Sequence, residues 1–239
     1  MRTIGIVTMN LLLVALLCGC AHGGYGAMRA MPSEPDTPVA PANDRATYLD
    51  LIKTMQQRGL FYASLAHIDA YRAAFGDNPE LSRLQADALR ETDQQDAAME
   101  RYRGLLGTTQ AAAAWHGIGL IDARQGHMED AARALDEAVQ RDPTNATYLG
   151  DLGYARIRAD DDRGARVPLA KAAELDPKNA KAVANLALLF TLEGDDAGAG
   201  QLMERAGLSP AARSEVQRLA SDIRRTRHTD PATTQGHTP

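Results

Sequence analysis

Small and apolar residues recur along the chain at a spacing of 34 residues. One block of this pattern consists of Trp115, Gly119, Ala131, Leu135, Ala138 and Pro143. The same positions 34 residues later are Leu149, Gly153, Ala165, Leu169, Ala172 and Pro177. A third block reads Val183, Ala187, Ala199, Met203 and Ala206, with Pro210 one place early. A period of this length, with apolar residues at helical spacing inside each block, predicts a stack of helix hairpins.

The same residues indicate how each hairpin is built. Gly119 and Gly153 are small enough to let the two helices of a hairpin approach closely. Pro143 and Pro177 predict helix ends, because proline lacks an amide hydrogen and does not continue a helix. Each is followed two residues later by an asparagine that is able to cap the next helix, at Asn145 and Asn179. Turns between the helices of a hairpin are predicted at Gly126, Asp160 and Gly194.

These positions match the signature of tetratricopeptide repeats, and the chain resembles that family. The resemblance implies an all-α fold: a right-handed α-solenoid of about five hairpins. Two more degenerate repeats precede the clear ones, at residues 45–78 and 79–111. A final capping helix is predicted over 209–226, where one apolar stripe consists of Val216, Leu219, Ala220 and Ile223. The repeats together occupy residues 45–208.

The first 19 residues have the pattern of a bacterial lipoprotein signal peptide. Arg2 precedes an apolar run from Ile4 to Leu17, which is shorter than the roughly 20 residues that cross a bilayer. The sequence Leu17-Cys18-Gly19-Cys20 resembles a lipobox, and Cys20 is the predicted lipidated residue because small Gly19 precedes it. An ordinary secreted protein cleaved nearby is the alternative. By resemblance to other lipoproteins, Ala21 after the acceptor cysteine implies the outer membrane, facing the periplasm.

Two segments lack apolar periodicity. Residues 20–44 are rich in glycine and proline and are predicted to be a flexible tether between the lipid and the repeats. Residues 227–239 consist mainly of Thr, His, Pro and Gln and are predicted to be a disordered tail.

Charge and composition narrow the possible partners. The formal net charge is -5 and the sequence pI is about 5.7, which argues against nucleic acid as a partner. The six histidines show no metal-ligand spacing, and no serine or cysteine lies in a nucleophile motif. We therefore expect no enzyme activity, no cofactor, no metal and no small-molecule substrate.

In repeats of this type, the first helix of each hairpin lines a groove that binds protein segments. By that resemblance, the candidate partner-binding residues are Arg83, Asp87, Arg90, His116, Leu120, Tyr154, Ile157, Lys181, Asn185 and Leu188. Such a groove is charged toward the N-terminus and apolar toward the C-terminus. Only Lys181 and Asn185 resemble parts of the clamp that some relatives use for a terminal carboxylate. Two alternatives remain: Leu120, Ile157 and Leu188 pack between hairpins, and the charged residues form a solvated helix face.

The whole layout resembles the tetratricopeptide lipoproteins of Flp/Tad pilus assembly, the TadD family. The segments that carry this resemblance are 148–154, 185–189 and 201–203, in the last two repeats. It implies that the protein helps an outer-membrane secretin to assemble or localise, with a secretin segment or another pilus component in the groove. A periplasmic scaffold for cell-wall hydrolases and a role in outer-membrane protein assembly are alternatives with the same anchor and groove. An enzyme with helical repeats is a third, against which the absence of a catalytic motif argues.

Overall fold

The computed structural model describes residues 42–229, and all regular secondary structure in this range is helical. The predicted signal peptide, Cys20, the tether up to residue 41 and the tail from residue 230 lie outside the described residues. None of the described helices is long and apolar enough to cross a membrane.

Eleven helices make up the described part of the chain. They are α1 (Ala42–Gln57), α2 (Phe61–Phe75), α3 (Pro79–Glu91), α4 (Gln95–Gly104), α5 (Ala111–Arg124), α6 (Met128–Arg141), α7 (Ala146–Arg158), α8 (Asp162–Leu175), α9 (Ala180–Leu192), α10 (Asp196–Arg205) and α11 (Pro210–Thr229). The first ten form five hairpins and α11 follows them, which confirms the predicted solenoid of five repeats with a capping helix.

One residue in each hairpin turn has a left-handed backbone. These residues are Gly59, Asp93, Gly126, Asp160 and Gly194, with φ between 62° and 86°. This confirms the three turns that the sequence predicted and adds the two in the degenerate repeats. Asn145 and Asn179 accept hydrogen bonds from the amides of the second and third residues of α7 and α9, as expected of capping residues.

Close contact between helices depends on the small residues of the repeat. A Cβ atom on Gly119 would lie 2.7 Å from Leu135 Cγ, and one on Gly153 would lie 2.3 Å from Leu169 Cγ. Leu135 and Leu169 are 1% and 0% exposed. Each leucine therefore occupies the space that the opposing glycine leaves, which explains why a small and a large residue alternate within the period.

Most of the odd-numbered helices pack on the next odd-numbered helix. Within the described residues, α1 packs on α3, α3 on α5, α7 on α9 and α9 on α11, while every substantial contact of an even-numbered helix is with an odd-numbered neighbour. We call the face formed by α3, α5, α7 and α9 the inner surface. It is built from the first helices of the hairpins, where the sequence predicts the groove.

The capping helix is longer than predicted. Val216, Ala220 and Ile223 are buried against the last repeats, as the apolar stripe predicts. The helix continues to Thr229 instead of ending at residue 226, and in this last turn Arg227 forms ion pairs with Asp160 and Asp162 at 2.7 and 2.8 Å. At the other end, α1 begins at Ala42, three residues inside the predicted tether.

Candidate functional site

A buried carboxylate lies at the centre of the inner surface. Asp151 of α7 is 7% exposed, and its two oxygens accept hydrogen bonds from two different helices. His116 Nε2 of α5 lies 2.8 Å from Oδ2, and Lys181 Nζ of α9 lies 2.6 Å from Oδ1. The His116 ring stacks on Tyr148 at a centroid distance of 4.5 Å. Asp151 therefore joins three successive repeats across this face.

Sequence reasoning missed Asp151. The residue lies within the Tyr148–Tyr154 stretch, but one position away from those that usually contact a ligand in such repeats. The sequence does contain a sign that Asp151 is buried. It is the one charged residue in Leu149-Gly150-Asp151-Leu152, where its neighbours are apolar or small. Charged side chains are rarely buried without a partner, so this pattern predicts an ion pair from another helix.

The environment of Asp151 stabilises its charged form. Burial alone would raise the pKa of this carboxyl group, but the hydrogen bond from His116 and the charge of Lys181 outweigh it, and the pKa is lowered. A lowered pKa in the folded state means that the stability contributed by the carboxylate is present above its unfolded pKa, near 4. That stability is lost as the pH falls through the folded pKa.

We expect Asp151→Asn to change the pH dependence of stability. The difference in free energy of unfolding between the natural chain and this variant should be largest above pH 5 and shrink as the pH falls below about 4. Urea unfolding followed by circular dichroism from pH 3 to 7 measures it, with Asp96→Asn on the exposed surface of α4 as control. Parallel pH profiles for Asp151→Asn and the natural chain would contradict the assignment.

The two residues that resemble a carboxylate clamp are already engaged within the chain. Lys181 binds Asp151, although its side chain remains 66% exposed. Asn185 is buried, and its Nδ2 donates to the Gly150 carbonyl at 3.2 Å. Lys181 is therefore available at the rim of the surface, whereas Asn185 links α9 to α7.

In the charged half of the inner surface, a buried tyrosine of the second helix of the hairpin, Tyr102, donates a hydrogen bond to Asp87. Arg83 and Asp87 form an ion pair one turn apart on α3, and Tyr102 of α4 donates to Asp87 Oδ1 at 2.7 Å. Arg90 Nε lies 3.4 Å from the same hydroxyl oxygen. Burial, together with the charge of Asp87, raises the pKa of Tyr102, so the hydroxyl stays protonated and donates. Arg83, Asp87 and Arg90 are thus an ordered cluster with their side chains 15–24% exposed.

The apolar candidates divide into surface and core. Leu120 and Tyr154 are partly exposed. Ile157 and Leu188 are 0% and 2% exposed and belong to the core that α7, α9 and α11 share. This burial favours the alternative that these two residues pack between hairpins, beside Val216 and Ile223 of α11 in the same core.

An apolar cleft lies between α9 and α11, at the C-terminal end of the inner surface. It has a volume of about 290 Å³. Its walls are mainly Ala184, Ala212, Val216 and Leu219, and the edge of Leu188 forms part of its lining. Lys181 and Glu215 lie at the rim. The inner surface thus offers a charged cluster, a central ion pair and an apolar cleft in N- to C-terminal order.

No group of His, Cys, Asp and Glu in the described range is arranged to hold a metal ion.

Comparison with known proteins identifies the family. No family model matches the chain. The TPR repeat-containing protein PA4299 of Pseudomonas aeruginosa is 30% identical over 192 residues, which cover 80% of this chain and 77% of that protein. Among solved structures, Pseudomonas aeruginosa PilF superposes with a TM-score of 0.63 at 19% identity, covering 78% of this chain and 87% of PilF. The Thermus thermophilus TPR protein TTC0263 gives 0.56 at 16% identity, covering 75% and 98%. The chain belongs to the tetratricopeptide-repeat (TPR) protein family.

Proposed function

We propose that this TPR protein is anchored to the outer membrane through a lipid on Cys20 and binds a segment of a protein partner on its inner surface. The observation that carries the proposal is the ordered sequence of chemical environments along α3, α5, α7 and α9. Asp87, Asp151 and Asn185 on this surface are already paired within the chain before a partner arrives. Side chains that are ordered beforehand lose less conformational entropy on binding.

The chemistry of the surface specifies the partner segment. An apolar side chain of the partner enters the cleft between α9 and α11, where Ala184 and Leu219 contact it. Polar groups of the same segment meet Lys181 and the Arg83–Asp87 pair toward the N-terminus. A helix or extended segment with one apolar stripe and a polar end satisfies both requirements.

The pilus assignment rests on the sequence layout. A lipobox, a proline-rich tether, five repeats and a capping helix are the features shared with the TadD family of Flp/Tad pilus assembly. We propose a secretin or another pilus assembly component as the partner. In this role the lipid delivers the complex to the outer membrane, while the inner surface holds the partner segment.

A crosslinked pull-down from native envelopes tests the partner. We expect a secretin or other pilus assembly component to be enriched with the tagged, full-length protein. Tyr154→Asp places a charge at a partly exposed side chain of α7 and should lower this enrichment at least tenfold. Val167→Asp makes the same kind of change on α8, at a side chain 60% exposed outside the inner surface, and should leave capture intact.

Two results would reject parts of this proposal. Enrichment of cell-wall hydrolases or of outer-membrane assembly proteins, with no secretin, would replace the pilus role by a scaffold role. Equal loss of capture in both variants would remove the inner surface as the binding site. Circular dichroism of each variant establishes that it is folded before capture is compared.

A further inference from the structure

The turn of the first hairpin differs in chemistry from the four other turns. The position that precedes the second helix is Leu60 in the first hairpin and Gln94, His127, Asp161 and Asp195 in the others. At all five positions the amide donates to the carbonyl five residues earlier, at 2.8–2.9 Å. The backbone is therefore the same in the five turns, and the apolar residue in the first is not required by its conformation.

Leucine is a poor choice for this position on structural grounds. Asp161 and Asp195 accept a hydrogen bond from an amide of the following helix at 2.8 Å, which a leucine side chain is unable to do. The next two residues of the first turn are Phe61 and Tyr62, where the second hairpin has Gln95 and Asp96. Gln94 and His127 make no such bond either, but both are polar, whereas the first hairpin carries apolar side chains at this position and the next two.

That apolar surface is open to solvent. Leu60 is 50% exposed and Tyr62 is 74% exposed. With Leu51 they account for three of the five large hydrophobic side chains that are exposed in the described residues, although the first hairpin is one of five. Arg58, also exposed, lies in the same turn. We call Arg58, Leu60, Phe61 and Tyr62 the apolar tip.

We propose that the apolar tip contacts the phospholipid surface of the membrane that anchors the chain. Tyrosine and leucine beside a basic residue are the side chains that enter the interface of a bilayer, the ring at headgroup depth and the cation at the phosphates. This inference rests on the proposed lipidation of Cys20, because the first hairpin is the described repeat that follows Cys20 in the chain.

The length of chain before α1 permits this contact. Residues 21–41 separate Cys20 from Ala42, and 21 residues reach about 70 Å when extended. Helix α1, with 16 residues, is about 24 Å long, and the tip lies at its far end. The tether is therefore long enough for the tip to reach the bilayer. The contact would orient the stack, with its inner surface at a fixed angle to the membrane.

Fluorescence quenching in vesicles tests the proposal. The lipidated full-length protein is reconstituted into phosphatidylethanolamine–phosphatidylglycerol vesicles that contain brominated acyl chains, as Tyr62→Trp or as Asp96→Trp. The two positions are equivalent in the first and second hairpins, and the unsubstituted chain provides the signal of Trp115, its one natural tryptophan. We expect the tryptophan introduced at position 62 to be quenched at least threefold more than the one at position 96.

A second variant tests the sequence of the tip itself. Leu60→Gln and Phe61→Gln are added to Tyr62→Trp, so that the first turn carries the residues of the second turn, Gln94 and Gln95. The backbone should not change, because these glutamines occupy a turn with the same backbone hydrogen bond in the second hairpin. Quenching should then fall to the level of position 96.

Equal quenching at positions 62 and 96 in acylated protein would overturn the membrane contact alone. Absence of acyl chains on Cys20, measured by mass spectrometry, would overturn the anchor and this inference together. A photo-crosslinker at position 62 that joins a protein instead of lipid would assign the tip to a protein partner and reject the proposal.

Discussion

Leu188→Asp is expected to unfold the last repeat and the capping helix. Leu188 is 2% exposed, and α9, on which it lies, packs on α7, α8, α10 and α11. The new carboxylate would be enclosed by apolar side chains of the core that Ile157 and Val216 share. Burial of a charge without a partner is among the few changes that cost several kcal/mol. We expect a loss of about 3–5 kcal/mol in the free energy of unfolding, a large part of the total for a domain of this size.

Urea unfolding followed by circular dichroism measures this loss, and hydrogen exchange locates it. Because each repeat contacts only its neighbours, protection should fall first in α9, α10 and α11 and least in α1 and α2. Tyr154→Asp is the matched control, since Tyr154 is partly exposed and its hydroxyl faces Arg158 at 3.1 Å. It should cost about 1 kcal/mol. If Leu188→Asp were as stable as Tyr154→Asp, the side chain would be accessible, and its place in the groove would be restored.

The repeat architecture was predictable because it depends on contacts between residues at fixed spacing. Gly153 meets Leu169 within one hairpin, so the pair recurs wherever the hairpin recurs. The turn at Gly126 and the cap at Asn145 depend on a few neighbouring residues and are equally local. A single chain with several copies of such contacts reveals them by internal comparison, without any knowledge of the family.

The site was less predictable because its contacts do not repeat. Asp151 bonds to His116 and Lys181, but the equivalent positions in other repeats carry different residues, so no period exposes the interaction. Ile157 and Leu188 occupy positions that line a groove in a continuing stack. Here they share a core with Val216 and Ile223 of α11, and Arg227 of α11 pairs with Asp160 and Asp162, which lie 65 or more residues earlier. Contacts over such distances are not visible in local patterns.

Gly117→Ala is expected to destabilise the protein even though alanine favours helices over glycine. A Cβ atom at this position of α5 would lie 2.2 Å from Tyr102 Cζ and 2.5 Å from both neighbouring ring carbons. The ring is completely buried and its hydroxyl is bound to Asp87, so it has little room to move. Overpacking of this kind costs about 1–3 kcal/mol. That cost exceeds the gain in helix propensity of at most about 1 kcal/mol.

Gly150→Ala provides a control with the opposite sign. Gly150 is also buried within a helix, but a Cβ atom there would meet only Ala172 Cβ, at the ordinary distance of 3.9 Å. Helix propensity should therefore dominate, and the variant should gain about 0.5–1 kcal/mol. Thermal unfolding of the two variants beside the natural chain measures both changes. A gain in both variants would show that the Tyr102 ring moves aside freely.

Displacement of Tyr102 should also weaken partner binding on the inner surface, and a double variant separates this effect from the loss of stability. Moving the ring withdraws the hydroxyl from Asp87, and Arg83 and Arg90 lose the group that orders their cluster from behind. Tyr102→Phe removes the hydroxyl but keeps the ring, so it should weaken partner capture while leaving the clash with Gly117→Ala unchanged.

Tyr102→Leu introduces the residue found at the equivalent positions Leu135 and Leu169. Combined with Gly117→Ala, it should restore more than half of the lost stability. Because the leucine has no hydroxyl, partner capture should stay low in this double variant. Recovery of stability without recovery of capture would separate the packing role of Tyr102 from its role in ordering Asp87, whereas recovery of both would make the hydroxyl irrelevant to binding.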